Sequence, residues 1–211
     1  MSNLPVELSQ LSTGLAAAIQ NAPVPNAPYI KLDKSGDWIF GSDGHEVTDG
    51  LWAINPNSFT EGYIAWGSGE LLGEEMAPMA GVPISLADLP AQPGAKNGWQ
   101  KQVGLQMVAI SGEFKGQQVL YKTSSKGGMT AIREMVAKVV NQINGGDDDF
   151  VPVVSLESSS YVHKEFGKIQ VPILTVDHWT NMDGVSEDAP EDDTPEDEPD
   201  KAPTRRRRIA G

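Results

Sequence analysis

Two short runs hold residue types able to grip a polyanion. Lys122-Thr123-Ser124-Ser125-Lys126-Gly127-Gly128 joins two ammonium groups, three hydroxyls and two glycines. Where such a run leads into a helix, backbone N–H groups at the helix start attract an anion, and glycine lets a phosphate come close. Lys122, Ser124, Ser125 and Lys126 are therefore candidate phosphate contacts. The rival reading is ordinary capping of the helix by Ser or Thr in a glycine turn. The second run, Ser158 to Lys168, reads SSSYVHKEFGK. Tyr161 and Phe166 can stack on bases, Lys164 and Lys168 can meet phosphates, and His163 can donate a hydrogen bond. Aromatic rings interleaved with cations are what an unpaired strand requires, since every base presents a π-face whatever its identity. The rival here is a hairpin tip whose rings fold back over the core. Tyr121 and Trp179 are weaker stacking candidates, because both have the character of core residues.

Other chemistries find little support. The chain has no cysteine, which removes disulfides, thiolate metal sites and thiol catalysis. His45, His163 and His178 are too far apart in sequence for a His-x3-His metal pair. Asp147-Asp148-Asp149 follows Gly145-Gly146 and reads as a solvated turn. The Lys122 run lacks the glycine and lysine order of a Walker loop, and neither a Gly-x-Ser-x-Gly elbow nor a dinucleotide glycine pattern occurs. The expectation is a non-enzymatic protein with no cofactor and no metal.

The elements that must position these residues can be read from periodicity. Leu8, Leu11, Leu15 and Ile19 predict a helix over 6–20, and Pro23, Pro25 and Pro28 follow as an extended linker. Strands are expected at Tyr29–Asp33 and Asp37–Gly41, as a hairpin around Lys34-Ser35-Gly36, and then at Leu51–Asn55, Tyr63–Trp66 and Leu71–Met76. Trp38, Phe40, Trp52, Phe59, Tyr63 and Trp66 crowd this half and read mainly as core. Residues 77–98 hold four prolines and no clear period, so a long loop is expected. Strands at Gln100–Ser111 and Gln117–Thr123 come next. A helix follows, with Ala131, Ile132, Met135, Val136, Val139, Val140 and Ile143 on one face, and Asn144-Gly145-Gly146 stops it. Phe150–Glu157 and Ile169–Trp179 are the last strands, with the Ser158–Lys168 run as the loop between them. The fold class is α+β, mainly β. A helix between later strands suggests an OB-like barrel over 29–182, preceded by an N-terminal helix and linker over 1–28.

Charge divides the 211-residue chain unevenly. Ten acidic residues and no basic one lie between Asp183 and Asp200, after which come Lys201 and Arg205 to Arg208. This tail, 183–211, has too little apolar surface to offset its ordering entropy and is expected to be disordered. Residues 1–182 carry a net charge of -8, yet 95–179 hold nine basic and eight acidic side chains. The half that contains both candidate runs is thus close to neutral, and a nucleic-acid surface is electrostatically feasible there. No apolar run reaches the roughly 18 residues of a membrane span, and the N-terminus lacks a secretory pattern. The cytoplasm is the default compartment, that of a host cell if the chain is phage-encoded.

Over Gln117–Gly128 (QQVLYKTSSKGG) and Val151–Trp179 (VPVVSLESSSYVHKEFGKIQVPILTVDHW), the chain resembles small uncharacterised proteins of tailed bacteriophages. The likeness extends from about Tyr29 to Gly184 and implies no catalytic residue. In general plan the chain also resembles phage single-stranded DNA-binding proteins, with a β-barrel body, basic and aromatic loops and an acidic tail. It differs from them in its net acidic body and in the terminal Arg205–Arg208. This second resemblance implies a role in phage DNA replication or recombination, single-stranded DNA as the partner, and replication or recombination proteins recruited through the tail, with homo-oligomers possible. The alternatives are an interaction protein that inhibits a host factor or mimics DNA through its acidic surface, and a minor virion component.

Overall fold

The computed structural model describes residues 27–182. The helix expected over 6–20, the acidic run and Arg205–Arg208 lie outside the described residues. The described part is mainly β: β1 (Tyr29–Leu32), β2 (Trp38–Phe40), β3 (His45–Glu46), β4 (Trp52–Ile54), β5 (Thr60–Gly67), β6 (Glu70–Pro78), β7 (Trp99–Ala109), β8 (Gln118–Thr123), β9 (Val151–His163) and β10 (Gly167–Thr180). One α-helix, α1 (Lys126–Asn144), lies among them. All ten strands form a single sheet, with the order β10-β9-β4-β7-β8-β1-β2-β3 and the β5–β6 hairpin joined to β7.

The sheet is organised around β7. Its C-terminal half pairs with β4, its N-terminal half with β5, and its other edge with β8. Side chains alternate along it, as the two-residue period of a strand requires. Val103, Leu105, Met107 and Ala109 face the main core, where they meet Val119 and Tyr121 of β8, Trp38, Trp52, Ile54 and Ile30. Ile132, Met135 and Val139 of α1 close this core from above. A smaller apolar cluster of Ala53, Val151 and Val153, with Val108, Ile110 and Phe150 packed on it, sits on the opposite face. β1 runs parallel to β8, and the expected hairpin pairs it antiparallel with β2. Asp33 holds that turn: its carboxylate accepts from the N–H groups of Ser35, Gly36 and Asp37 at 2.8, 2.9 and 3.1 Å.

The sheet curls into an open half-barrel. β9 pairs with β4 only at Val153 and Val154, and beyond that β9 and β10 pair only with each other. They form a two-stranded ribbon of nine residue pairs, from Ser155–Thr175 to His163–Gly167, ~30 Å long at strand rise. The turn between β1 and β2 holds the ribbon. Ser158 Oγ donates to the Gly36 carbonyl at 2.7 Å, and Gln170 Nε2 donates to the Ser35 carbonyl at 2.7 Å. Trp38 Nε1 donates to the Glu157 carbonyl at 3.0 Å. The outer edge of β10 has no backbone partner among the described residues, and Pro172, which has no N–H to offer, stands on that strand.

The ribbon corrects one expectation. Ser158–Lys168 is not a loop: strand pairing continues through Ser158-Ser159-Ser160 to His163, and only Lys164-Glu165-Phe166 turn. Ser158–Val162 of β9 are exposed, so pairing persists there without the alternation of apolar residues that would announce a strand. The 77–98 segment, in contrast, is irregular beyond Pro78, apart from a short 3-10 turn at Leu86–Asp88. Trp99 Nε1 holds it by donating to the Pro90 carbonyl at 2.8 Å.

Candidate nucleic-acid interface

The first candidate run folds as a capped strand-to-helix turn. Ser125 is the N-cap of α1, and its Oγ accepts from the Gly128 N–H at 3.1 Å. The Ser125 N–H donates to Thr123 Oγ1 at 3.2 Å, and the two hydroxyls lie 3.0 Å apart. Capping therefore occupies Ser125 and Thr123, while Ser124 and Lys126 are exposed. Gly127 lets the helix approach β10 closely: a Cβ there would lie 2.9 Å from Val171 Cγ1.

From Gly127 onward, helix and strand part to leave a cleft of about 1000 Å³. Lys126, Thr130, Glu134 and Lys138 of α1 form one wall at four-residue spacing, which stacks them along one side of a helix. The other wall is Val171–Val176 and Trp179 of β10, with Tyr161 and His163 of β9. Lys126 and Lys138 stand ~18 Å apart along the axis. Neither they nor Glu134 form an ion pair among the described residues.

The second candidate run supplies the far end of the cleft and the ribbon tip. Tyr161 is 50% exposed and Phe166 73% exposed. Neither ring has folded over the core. Phe166 stacks on His163 with centroids 4.9 Å apart and planes at 30°. The Glu165 N–H donates to His163 Nδ1 at 3.2 Å, so the neutral ring carries its proton on Nε2 and can donate outward. Lys164 and Lys168 flank Phe166 in solvent.

Thus Lys126, Tyr161 and His163 share one cleft, with Lys164, Phe166 and Lys168 at the ribbon tip beyond it. Lys122 is turned away. Its Nζ lies 2.6 Å from Glu74 Oε2 with its side chain only 16% exposed, and Gln102 Nε2 donates to the other oxygen of Glu74 at 2.6 Å. The Tyr29 ring lies 5.8 Å from the same ammonium. Strand alternation explains this: Lys122 follows Tyr121, which points into the core, and so projects from the opposite face of β8. Tyr121 is 3% exposed, and burial pushes its phenol up to about 12. It is a core residue, whereas Trp179 is half-buried and lines the cleft. In the first half, Trp38, Trp52 and Phe59 belong to the core, and Trp66 is exposed.

Thr130, Glu134 and Lys138 line the cleft although no motif in the sequence marks them. Their signal was the four-residue repeat on the helix side away from Ile132, Met135 and Val139, and nothing in sequence told which solvent-facing side a strand would approach. Among the described residues, no three His, Asp or Glu side chains gather as metal ligands, and no helix is long and apolar enough to cross a membrane. Comparison with protein-family models, with curated proteins and with solved structures finds no match.

Proposed function

We propose that this is a non-enzymatic single-stranded DNA-binding protein, which holds an unpaired strand in the cleft between α1 and the β9–β10 ribbon. The observation that carries this reading is the joining, in one cleft, of Lys126 and Lys138, which form no ion pair among the described residues, with the rings of Tyr161 and Trp179. Lys126 and Lys138 reach phosphates from the helix side, and Lys164 and Lys168 do so from the ribbon. Tyr161 and Phe166 offer faces for stacking, and Trp179 a third at the opposite end. Base–aromatic stacking is worth about 1–3 kcal/mol per base and tolerates any sequence.

Connectivity supports an OB-like barrel as the framework. β4 pairs with β7 and β9, β7 with β8, and β9 with β10, while the helix stands between β8 and β9. These pairings are compatible with a five-stranded barrel whose helix stands between its third and fourth strands, left open here because β8 pairs with β1 and not with β10. In such barrels the loop between the last two strands contacts oligonucleotides, and here that connection is the ribbon tip. A place in phage replication or recombination, with the acidic tail as a contact for partner proteins, follows from the resemblance in general plan.

A fluorescence-quenching titration against single-stranded DNA, duplex DNA and RNA of equal length tests the reading. The expected result is a preference for single strands at micromolar protein or below. Binding should weaken with salt, with a log–log slope of about -0.7 for each phosphate neutralised. Absence of salt-dependent binding to a single strand at micromolar protein would refute it.

A further inference from the structure

A carboxylate at the centre of a groove for polyanions needs an explanation. Glu134 lines the cleft between Lys126 and Lys138 and forms no ion pair with either. Gly127, Ala131, Glu134 and Lys138 follow one another at i, i+4, i+7 and i+11, the spacing of a single helix seam. Gly127 fixes that seam against β10 through its close approach to Val171. Glu134 therefore projects toward the strand wall of the cleft. Beside a phosphate it would repel. Beside the edge of a base it becomes an acceptor with two oxygens.

We propose that Glu134 is a specificity residue, which makes the cleft prefer strands containing guanine; the inference rests on the single-strand reading above. The Watson–Crick edge of guanine carries two adjacent donors, N1–H and N2–H, which match the two oxygens of a carboxylate in a paired hydrogen bond. Cytosine and adenine each present one exocyclic amine beside a ring acceptor, which suits one oxygen and repels the other. Thymine presents one N–H between two carbonyls, the poorest match. In an unpaired strand these edges are free to be read. Discrimination by one base contact of this kind is compatible with general binding, because the phosphate and stacking contacts elsewhere in the groove do not depend on sequence.

The test uses the full chain and three oligonucleotides of equal length: oligo-dT, oligo-dT with isolated dG residues spaced to prevent quadruplexes, and the same with inosine in place of each dG. Wild type should bind the dG strand roughly 5- to 150-fold more tightly than oligo-dT, the range for one good bidentate base contact. Inosine, which keeps N1–H but lacks the N2 amine, should fall between them. Glu134→Gln should lose most of the preference and bind oligo-dT at least as well as wild type, since a repulsive charge is gone. Equal affinity of wild type for all three strands overturns the assignment of Glu134 and leaves the interface standing. A dG preference that survives in Glu134→Gln does the same. Failure of wild type to bind any of them overturns the interface and this inference together. Thermal melting of Glu134→Gln should match wild type, because the side chain is exposed.

Discussion

Phe166 and Tyr161 leave ring surface in water although an apolar core lies within the same fold. Their truncation should therefore cost little stability and much affinity. Phe166→Ala and Tyr161→Ala are each expected to weaken single-strand binding by about 1–3 kcal/mol, with an unchanged melting temperature, as titration and calorimetry can check. The lysines divide in the opposite sense. Lys126→Ala should lower the salt slope by about 0.7, with the fold intact. Lys122→Ala should leave the slope alone and cost about 1–3 kcal/mol of stability, because Glu74 loses a charged partner in a partly buried site. Tyr121 supplies a pH signature. Burial pushes its folded pKa to about 12, above the ordinary phenol value of 10.0, so between those values the native state holds a proton that the unfolded state has lost. Stability should be full below pH ~10 and fall by about 2–3 kcal/mol as pH rises through 12. Alkaline denaturation of Tyr121→Phe should lack that component.

The strand-to-helix turn shows how one element serves both fold and site. Ser125 caps α1 while Gly127 sets the distance to β10, so the width of the cleft is fixed at the helix start. Gly127→Val would drive two methyl groups against Val171 and push the helix outward. A loss of about 1–3 kcal/mol is expected, measured by denaturant unfolding, with weaker single-strand binding because the walls separate. The sequence made much of this visible. The apolar stripe from Ile132 to Val139, the Ser125 cap, the Gly145-Gly146 stop and the β1–β2 hairpin all follow from local rules that act over a few residues. The strands from β4 to β8 could be placed to within a few residues for the same reason. Three features could not be read. Strand pairing beyond Glu157 continues through exposed residues of β9, held by side-chain bonds to the β1–β2 turn and without apolar alternation to announce it. β3 has two residues, too few for any period. The orientation of Lys122 depends on Glu74, which comes 48 residues earlier in the chain, and no local pattern encodes such a meeting. The cleft was half legible: its aromatic and basic end was visible in Tyr161, His163 and Lys126, whereas its helical wall required knowledge of which side of α1 faces β10.

Over the whole described region, the half-barrel keeps the acidic first half and the nearly neutral second half in one sheet, with the ribbon bound back to the β1–β2 turn through Ser158 and Gln170. A chain with net charge -13 repels DNA at long range, so on the proposed reading affinity would come from close contacts at the cleft and ribbon and not from a broad attractive field. The outer border of β10 has a further consequence. A strand edge without a backbone partner among the described residues is a template onto which another chain can zip, and a crowded solution would present many such chains. Pro172 stands on that strand and has no N–H to offer to a ladder. Pro172→Val should restore continuity and promote concentration-dependent clustering, visible as rising mass in light scattering, while dilute samples stay unaffected. The ring at position 172 would then act as a guard against fibre growth along that edge.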